Sequence, residues 1–206
     1  MKKTTTVIKQ FFLFFVCFLI TSNIHAQETV TDIDGNTYRT VNINGKQWMI
    51  DPLKTTRYND GTKIPLISKA SKWGSSYDVG AFCYYDNDKK NVEKYGNLYN
   101  WYAASSGKLA PNGWHVPTET EFNSLMDYLY ENYSIEFTLP IGGERRMSRD
   151  TYSSKEAGYE YAFKEIGGRY WSSTESRYLN VSSDQSKSIF TMCRSTDGMS
   201  VICVKD

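Results

Sequence analysis

Hydrophobic and polar positions divide the chain into a strand-rich start, a helical middle and a strand-rich end. Between the turn dipeptides Asp34-Gly35 and Asn44-Gly45, the run from Thr37 to Ile43 alternates apolar and polar side chains, and Lys46-Gln47-Trp48-Met49-Ile50 follows. Period-two alternation with such dipeptides at the corners predicts a small β-meander. Residues 54–80 carry breakers at Asn59-Asp60-Gly61, Pro65 and Gly74-Ser75-Ser76 and read as loop. Ala81 to Tyr85 reads as a short strand closed by the turn Asp86-Asn87-Asp88. A first helix is predicted from Val92 to Ala104, because Leu98, Trp101 and Tyr102 recur at helical spacing and Tyr95 and Tyr99 widen the face. A second is predicted to follow Thr118 and to end between Glu131 and Tyr133. Thr118 and Glu121 make a capping box, and Phe122, Leu125, Met126 and Leu129 make one apolar stripe. Near the end, Ile189 to Cys193 and Ser200 to Val204 flank Thr196-Asp197-Gly198 and predict a terminal hairpin. Sheet, two helices and sheet again, joined by long loops, define an α+β domain.

The first 26 residues follow a different logic. Lys2, Lys3 and Lys9 precede an apolar run from Phe11 to Ile20, and Ser22-Asn23-Ile24-His25-Ala26 offers a cleavage site. The run is about 10 residues, short of the roughly 20 needed to span a bilayer, so it reads as a secretory signal peptide. Residues 27–206 are then a single domain, expected in the periplasm, on the cell surface or outside the cell, with no stable membrane insertion after cleavage. Cleavage removes three of the 24 basic residues and none of the 23 acidic ones, leaving a charge near −2. Such a balance gives no field to recruit nucleic acid. Cys17 leaves with the signal, and Cys83, Cys193 and Cys203 remain. An oxidising compartment permits a disulfide, and three pairings can be drawn among three cysteines.

Candidate chemistry is sparse. His115 is the only histidine after Ala26, which excludes a histidine-based metal cluster. Its place between Trp114 and Val116 reads as a structural histidine bonded to backbone. No catalytic constellation and no cofactor site emerge. Calcium has two candidate oxygen sets, Asp32-Ile33-Asp34-Gly35-Asn36 and Asp86-Asn87-Asp88, although acidic turns account for both without a metal. Aromatic side chains outside any core periodicity are candidate ligand contacts, because flat rings stack on sugars and anchor interfaces: Trp73, Tyr152, Tyr159, Tyr161, Tyr170 and Tyr178, with Tyr77 beside them.

Six short motifs occur in fixed order: Gln47-Trp48-Met49, Tyr58 to Thr62, Tyr95 to Ala103, Gly113 to Thr118, Tyr170 to Glu175 and Ser200 to Asp206. In this order they resemble the Fibrobacter succinogenes major paralogous domain, a family common in secreted proteins of Bacteroidetes and Fibrobacteres, over roughly residues 30–206. The resemblance implies a C-type-lectin-like fold, akin to the formylglycine-generating-enzyme group. That fold has a mixed or antiparallel sheet with two helices, long loops and paired chain termini. It implies that Trp101, Trp114 and Trp171 build the core, that Gly113 sets a turn, and that Val201 to Val204 form a closing central strand. Relatives carry Cys-Pro before Gly-Trp-His, with a bridge to the last strand where Cys203 stands. Here Ala110 replaces that cysteine, which makes Cys193 a replacement partner for Cys203; buried free thiols are the alternative. A second departure is a short connection between the second helix and Pro140-Ile141-Gly142-Gly143, in the region where a lectin-like fold holds its ligand.

The expectation is therefore an exported, non-enzymatic binding module that recognises a polysaccharide or an envelope protein. The alternatives are a structural component of an envelope assembly, or an enzyme of the formylglycine-generating-like group, which would need two close cysteines to hold copper.

Overall fold

A computed structural model describes residues 28–132, 139, 142–147, 159–162, 168–175, 177–181 and 188–206. The segment read as a signal peptide lies outside these residues. The meander forms as the alternation requires: β1 (Thr29–Thr31), β2 (Thr37–Ile43) and β3 (Lys46–Met49) pair antiparallel. Asn44 and Gly45 both take positive φ (50° and 79°), which is what a tight two-residue hairpin turn demands. Burial in β2 alternates at Tyr38 and Thr40 and slips by one position to Ile43, and Trp48 and Met49 of β3 are buried as well.

The middle contains four helices: α1 (Ala70–Gly74), α2 (Val92–Tyr95), α3 (Trp101–Ala104) and α4 (Glu119–Asn132). Only α4 matches its predicted length. Its capping box is reciprocal, with the Glu121 amide donating to the Thr118 hydroxyl (3.2 Å) and the Thr118 amide donating to the Glu121 carboxylate (3.0 Å). Phe122, Leu125 and Met126 on its stripe are buried, and the Phe122 ring lies 5.8 Å from that of Trp48.

The helix predicted over 92–104 is instead two single turns around a strand. Gly96 ends α2 with φ 67°, and a Cβ there would lie 2.4 Å from the Leu53 carbonyl oxygen, so only glycine fits. The chain then extends as β5 (Leu98–Tyr99), antiparallel to β4 (Phe82–Cys83). Asn100 restarts the helix by accepting from the Ala103 amide (3.1 Å), and the same side-chain oxygen accepts from Ala81 (3.0 Å). Tertiary packing of Leu98 and Tyr99 overrides a helical spacing that local propensity alone would allow. The expected loop 54–80 likewise contains α1, whose single buried residue, Trp73, docks it.

The end of the chain supplies the remaining strands: β6 (Trp114–His115), β7 (Glu144–Met147), β8 (Tyr159–Ala162), β9 (Gly168–Trp171), β10 (Arg177–Val181), β11 (Ser188–Met192), β12 (Gly198–Met199) and β13 (Val204–Lys205). They complete three sheets, ordered β1-β2-β3-β13-β6, β4-β5-β12-β7-β8 and β11-β10-β9. All named strand pairs are antiparallel. The described part of the domain is therefore α+β, and its first and last strands share one sheet.

The predicted terminal hairpin does not form. β11 pairs with β10, whereas residues 198–205 enter two other sheets, with β12 between β5 and β7 and β13 between β3 and β6. Between these strands, Leu53 donates to the Val201 carbonyl (2.8 Å) and Met49 to the Cys203 carbonyl (2.9 Å). Ser200 bridges by a parallel contact to Tyr170, and its hydroxyl donates to the Tyr95 carbonyl (2.8 Å) while accepting from Gly143 (2.9 Å). Val201, Ile202, Cys203 and Val204 are fully buried. Trp171 is a core residue whose indole donates to the Tyr99 carbonyl (2.7 Å), but Trp101 and Trp114 are half-buried at the margin of the core. Among the described residues, no helix is long and apolar enough to cross a membrane.

Truncating Ile202 to alanine should cost about 2–5 kcal/mol, the range for a fully buried aliphatic side chain, read as a lower urea midpoint. An unchanged midpoint would contradict the central position of this segment.

Candidate functional site

The N-terminal turn is built around two carboxylates. Asp32 accepts from the amides of Asp34 and Asn36 (both 2.9 Å), from Asn36 Nδ2 (2.9 Å) and from the Tyr38 hydroxyl (2.5 Å). Asp34 accepts from the Thr56 amide (2.5 Å), the Thr56 hydroxyl (2.8 Å) and Arg57 Nε (2.5 Å), while the Thr55 hydroxyl donates to the Arg57 carbonyl (2.8 Å). Partial burial raises the Asp34 pKa, but hydrogen bonds from Thr56 and Arg57 outweigh it and hold the group below its ordinary value. Burial, reinforced by neighbouring Tyr99 and Asp32, pushes the Tyr38 hydroxyl far up, so it stays a donor. Asp32 thus accepts two protein donors on each oxygen, the capacity of the carboxylate, whereas Asp34 Oδ1 accepts from Arg57 alone. These are the oxygens of the first candidate calcium set. In the second, Asp88 accepts from the Lys90 amide (2.9 Å), and Asp86 and Asn87 both take positive φ.

Beside this turn a cleft of about 170 Å³ opens where three chain segments meet. Asp32 and Ile33 form one side, Arg57 and Asn59 a second, and Pro111 and Asn112 a third. The framework holds each segment in place. Arg57 is tied to Asp34, the Asn59 amide donates to the Lys108 carbonyl (2.8 Å), and Asn59 Nδ2 donates to the Ala110 carbonyl (3.3 Å). Gly113, with φ 77°, turns the third segment back so that the Trp114 amide reaches the Pro111 carbonyl (3.0 Å).

His115 is engaged by carboxylates rather than by backbone, which corrects the sequence reading. Its Nδ1 lies 2.6 Å from Asp206 Oδ1, and its Nε2 lies 2.9 Å from Glu121 Oε2. With an acceptor at each ring nitrogen, the doubly protonated imidazolium is the form that fits. Partial burial lowers the His115 pKa, but the bonds to Asp206 and Glu121 outweigh this and hold it above its ordinary value. Burial raises Glu121, and the Lys46 ammonium (2.7 Å), the Thr118 amide and His115 bring it down to about 2. This cluster fastens β3, β6, the start of α4 and the C-terminal residue together.

The other predicted site residues scatter. Trp73 and Tyr170 are fully buried and Tyr178 nearly so (5% exposed), so none can offer a free ring face to a ligand. The Arg145 guanidinium lies 4.9 Å from the Trp73 ring and that of Arg169 lies 4.9 Å from Tyr178. Tyr161 is half-buried, 5.3 Å from Tyr85 and facing Arg145. Tyr152 and the Tyr159 side chain lie outside the described residues. Tyr77 is exposed, at 67%.

Cys83, Cys193 and Cys203 are free thiols, so the Cys193–Cys203 bridge is not made. The reason is topological: Cys193 follows the edge strand β11, whereas Cys203 leads into β13 of another sheet. Burial pushes the Cys83 thiol up to about 11 and that of Cys203 higher still, which leaves both unreactive. Of the cleft residues, Asn59 lies in a motif visible in the sequence. Arg57, Pro111 and Asn112 flank motifs and carry no catalytic signature of their own.

Native alkylation should spare Cys83 and Cys203. Denaturation without reductant should expose all three thiols, and two thiols lost to a bridge would contradict the topology. The histidine cluster sets a pH window. Raised in the fold, His115 contributes fully below its ordinary 6.5, and its contribution fades as pH rises through the higher folded value. Depressed in the fold, Glu121 contributes above its ordinary 4.5 and loses its share as pH falls toward about 2. His115→Gln should therefore lower the urea midpoint at about pH 5.5 more than at about pH 8.5, by the roughly 0.2–1 kcal/mol of a part-exposed pair. Equal losses at both pH values would sink the clamp.

Neither the curated proteins nor the solved structures include a match to this chain. Residues 41–138 match the family model described as Fibrobacter succinogenes major domain. That span starts within β2 and runs past α4, and so takes in both sides of the cleft that come from the middle of the chain. It is narrower than the resemblance read across 30–206, for the motifs at Tyr170 and Ser200 lie beyond it. The Gln-Trp-Met, Tyr-Asn-Asp-Gly-Thr, Tyr-Gly-Asn and Gly-Trp-His motifs all fall inside it, and on this match residues 41–138 carry a Fibrobacter succinogenes major domain.

Proposed function

We propose that the protein is an exported, non-enzymatic binding module that recognises a polysaccharide or a protein partner of a bacterial envelope, on a C-type-lectin-like scaffold. The observation that carries this reading is the cleft between Asp32, Arg57, Asn59 and Asn112, a concave site bordered by loops on a sheet-anchored frame. Its volume of about 170 Å³ is below the roughly 300–1,000 Å³ of sites that engulf a whole small molecule. A cleft of this size suits one residue of a polymer whose remainder lies along the surface.

Three further features favour the reading. The first 26 residues have the layout of a secretory signal. The first and last described strands share a sheet, an arrangement expected of the lectin-like scaffold. The cleft is lined by Arg57, Asn59 and Asn112, hydrogen-bonding groups suited to recognition.

A glycan array and a pull-down from envelope extract, run with the protein lacking residues 1–26, should retain a ligand in at least one format. Failure to retain any ligand in both would end the proposal.

A further inference from the structure

Resting on the reading of the cleft as a binding site, we propose that its ligand is one unit of a neutral polysaccharide, held through its hydroxyls by Arg57, Asn59 and Asn112. Charge decides the first part. Among the lining residues Asp32 carries one negative charge and Arg57 one positive charge, and Arg57 is already paired with Asp34. With the two signs balanced, the lining offers no net field to attract a carboxylate, sulfate or phosphate on the ligand. An ammonium group fares no better, because Asp32, the carboxylate that lines the cleft, already accepts two protein donors on each oxygen. The remaining chemistry is neutral and polar.

Donor and acceptor supply decides the second part. Arg57 spends its Nε on Asp34, and its Nη2 makes only a long contact (3.4 Å) to the Ile33 carbonyl, while the side chain is 42% exposed. Asn59 uses Nδ2 on the Ala110 carbonyl, and its Oδ1 accepts no bond among the described residues. The Asn112 carboxamide is likewise unbonded among the described residues, and the residue is exposed. A guanidinium edge with two carboxamides presents both donors and acceptors, as a sugar hydroxyl requires, since it both gives and takes a hydrogen bond. Pro111 and Ile33, the latter 41% exposed, add apolar wall for the C–H face of a ring. A peptide side chain is the poorer fit, because the lining offers no aromatic or deep apolar pocket to serve as an anchor.

The test uses the full chain without residues 1–26, an array of soluble β-glucan, mannan and polygalacturonate, and the variants Asn112→Ala and Asn59→Ala. Thermal melts establish that Asn112→Ala is folded, as expected for a side chain bonded to no protein group among the described residues. Binding to a neutral polymer, weakened roughly tenfold by Asn112→Ala for a lost hydrogen bond of about 1.4 kcal/mol, is the expected result. Preference for polygalacturonate, or neutral-polymer binding unchanged by both variants, would overturn the inference while leaving a binding module. Capture of a peptide or protein with no glycan retained would do the same. Absence of every ligand would remove this inference and the proposed function together.

Discussion

The backbone of residues 198–205 is the constraint that the rest of the structure obeys. Its two short strands are interior members of both five-stranded sheets, and the residues between them accept bonds from Met49 and Leu53. Because Val201 to Val204 are shut off from water, each backbone group there must be partnered within the protein, and the partners come from both halves of the chain. The N-terminal meander, the Tyr95 to Ala103 turns, the Gly142-Gly143 segment and the strand at Tyr170 are therefore mutually positioned by one stretch. A segment in that position has little freedom to be exchanged for another sequence, because its side chains are packed on every side.

Between the sheets, the long connections are held by buried side-chain amides rather than by regular structure. Asn97 Nδ2 donates to the carbonyls of Lys54 (2.7 Å) and Thr55 (3.1 Å), and Asn100 Nδ2 donates to Val79 (2.8 Å). The Tyr99 hydroxyl donates to Thr55 as well (2.7 Å), and Arg145 fastens the carbonyls of Ile67 and Ser68. Such groups cost free energy when buried without partners, so each one fixes a loop as firmly as it is itself satisfied. The Asn59 and Arg57 side of the cleft is held in the same way, which makes the cleft a rigid feature of the frame.

The sequence announces elements whose cause is local and hides those whose cause is distant. The meander is legible because Asn44-Gly45 dictates its own turn, and α4 is legible because Thr118 and Glu121 cap each other. The break at Gly96 is not, since it exists to let the chain pass the Leu53 carbonyl, a neighbour 43 positions away in sequence. The terminal hairpin fails for the same reason: apolar runs around an Asp-Gly turn suggest pairing with each other, and the competing sheets lie elsewhere in the chain. Aromatic content misleads about the site in a related way. Trp73, Tyr170 and Tyr178 lack a core periodicity because they pack loops and short strands, where no period exists, and they are buried all the same. The cleft is composed of ordinary turn residues, Asn59, Pro111 and Asn112, whose meaning depends on three segments meeting.

Placing an interior strand of each five-stranded sheet within residues 198–205 has a consequence for the order of events during synthesis. A ribosome delivers the chain from its N-terminus, so β3, β5 and β7 all leave the tunnel before the strands that must lie beside them. The meander and α4 can form early from local contacts, but the edges that await β12 and β13 stay open until residues 198–205 emerge. Closure then depends on contacts that span most of the chain, the kind that form slowly because a large loop must be ordered first. Before residues 198–205 are present, both five-stranded sheets lack an interior strand, and they close only when this segment docks.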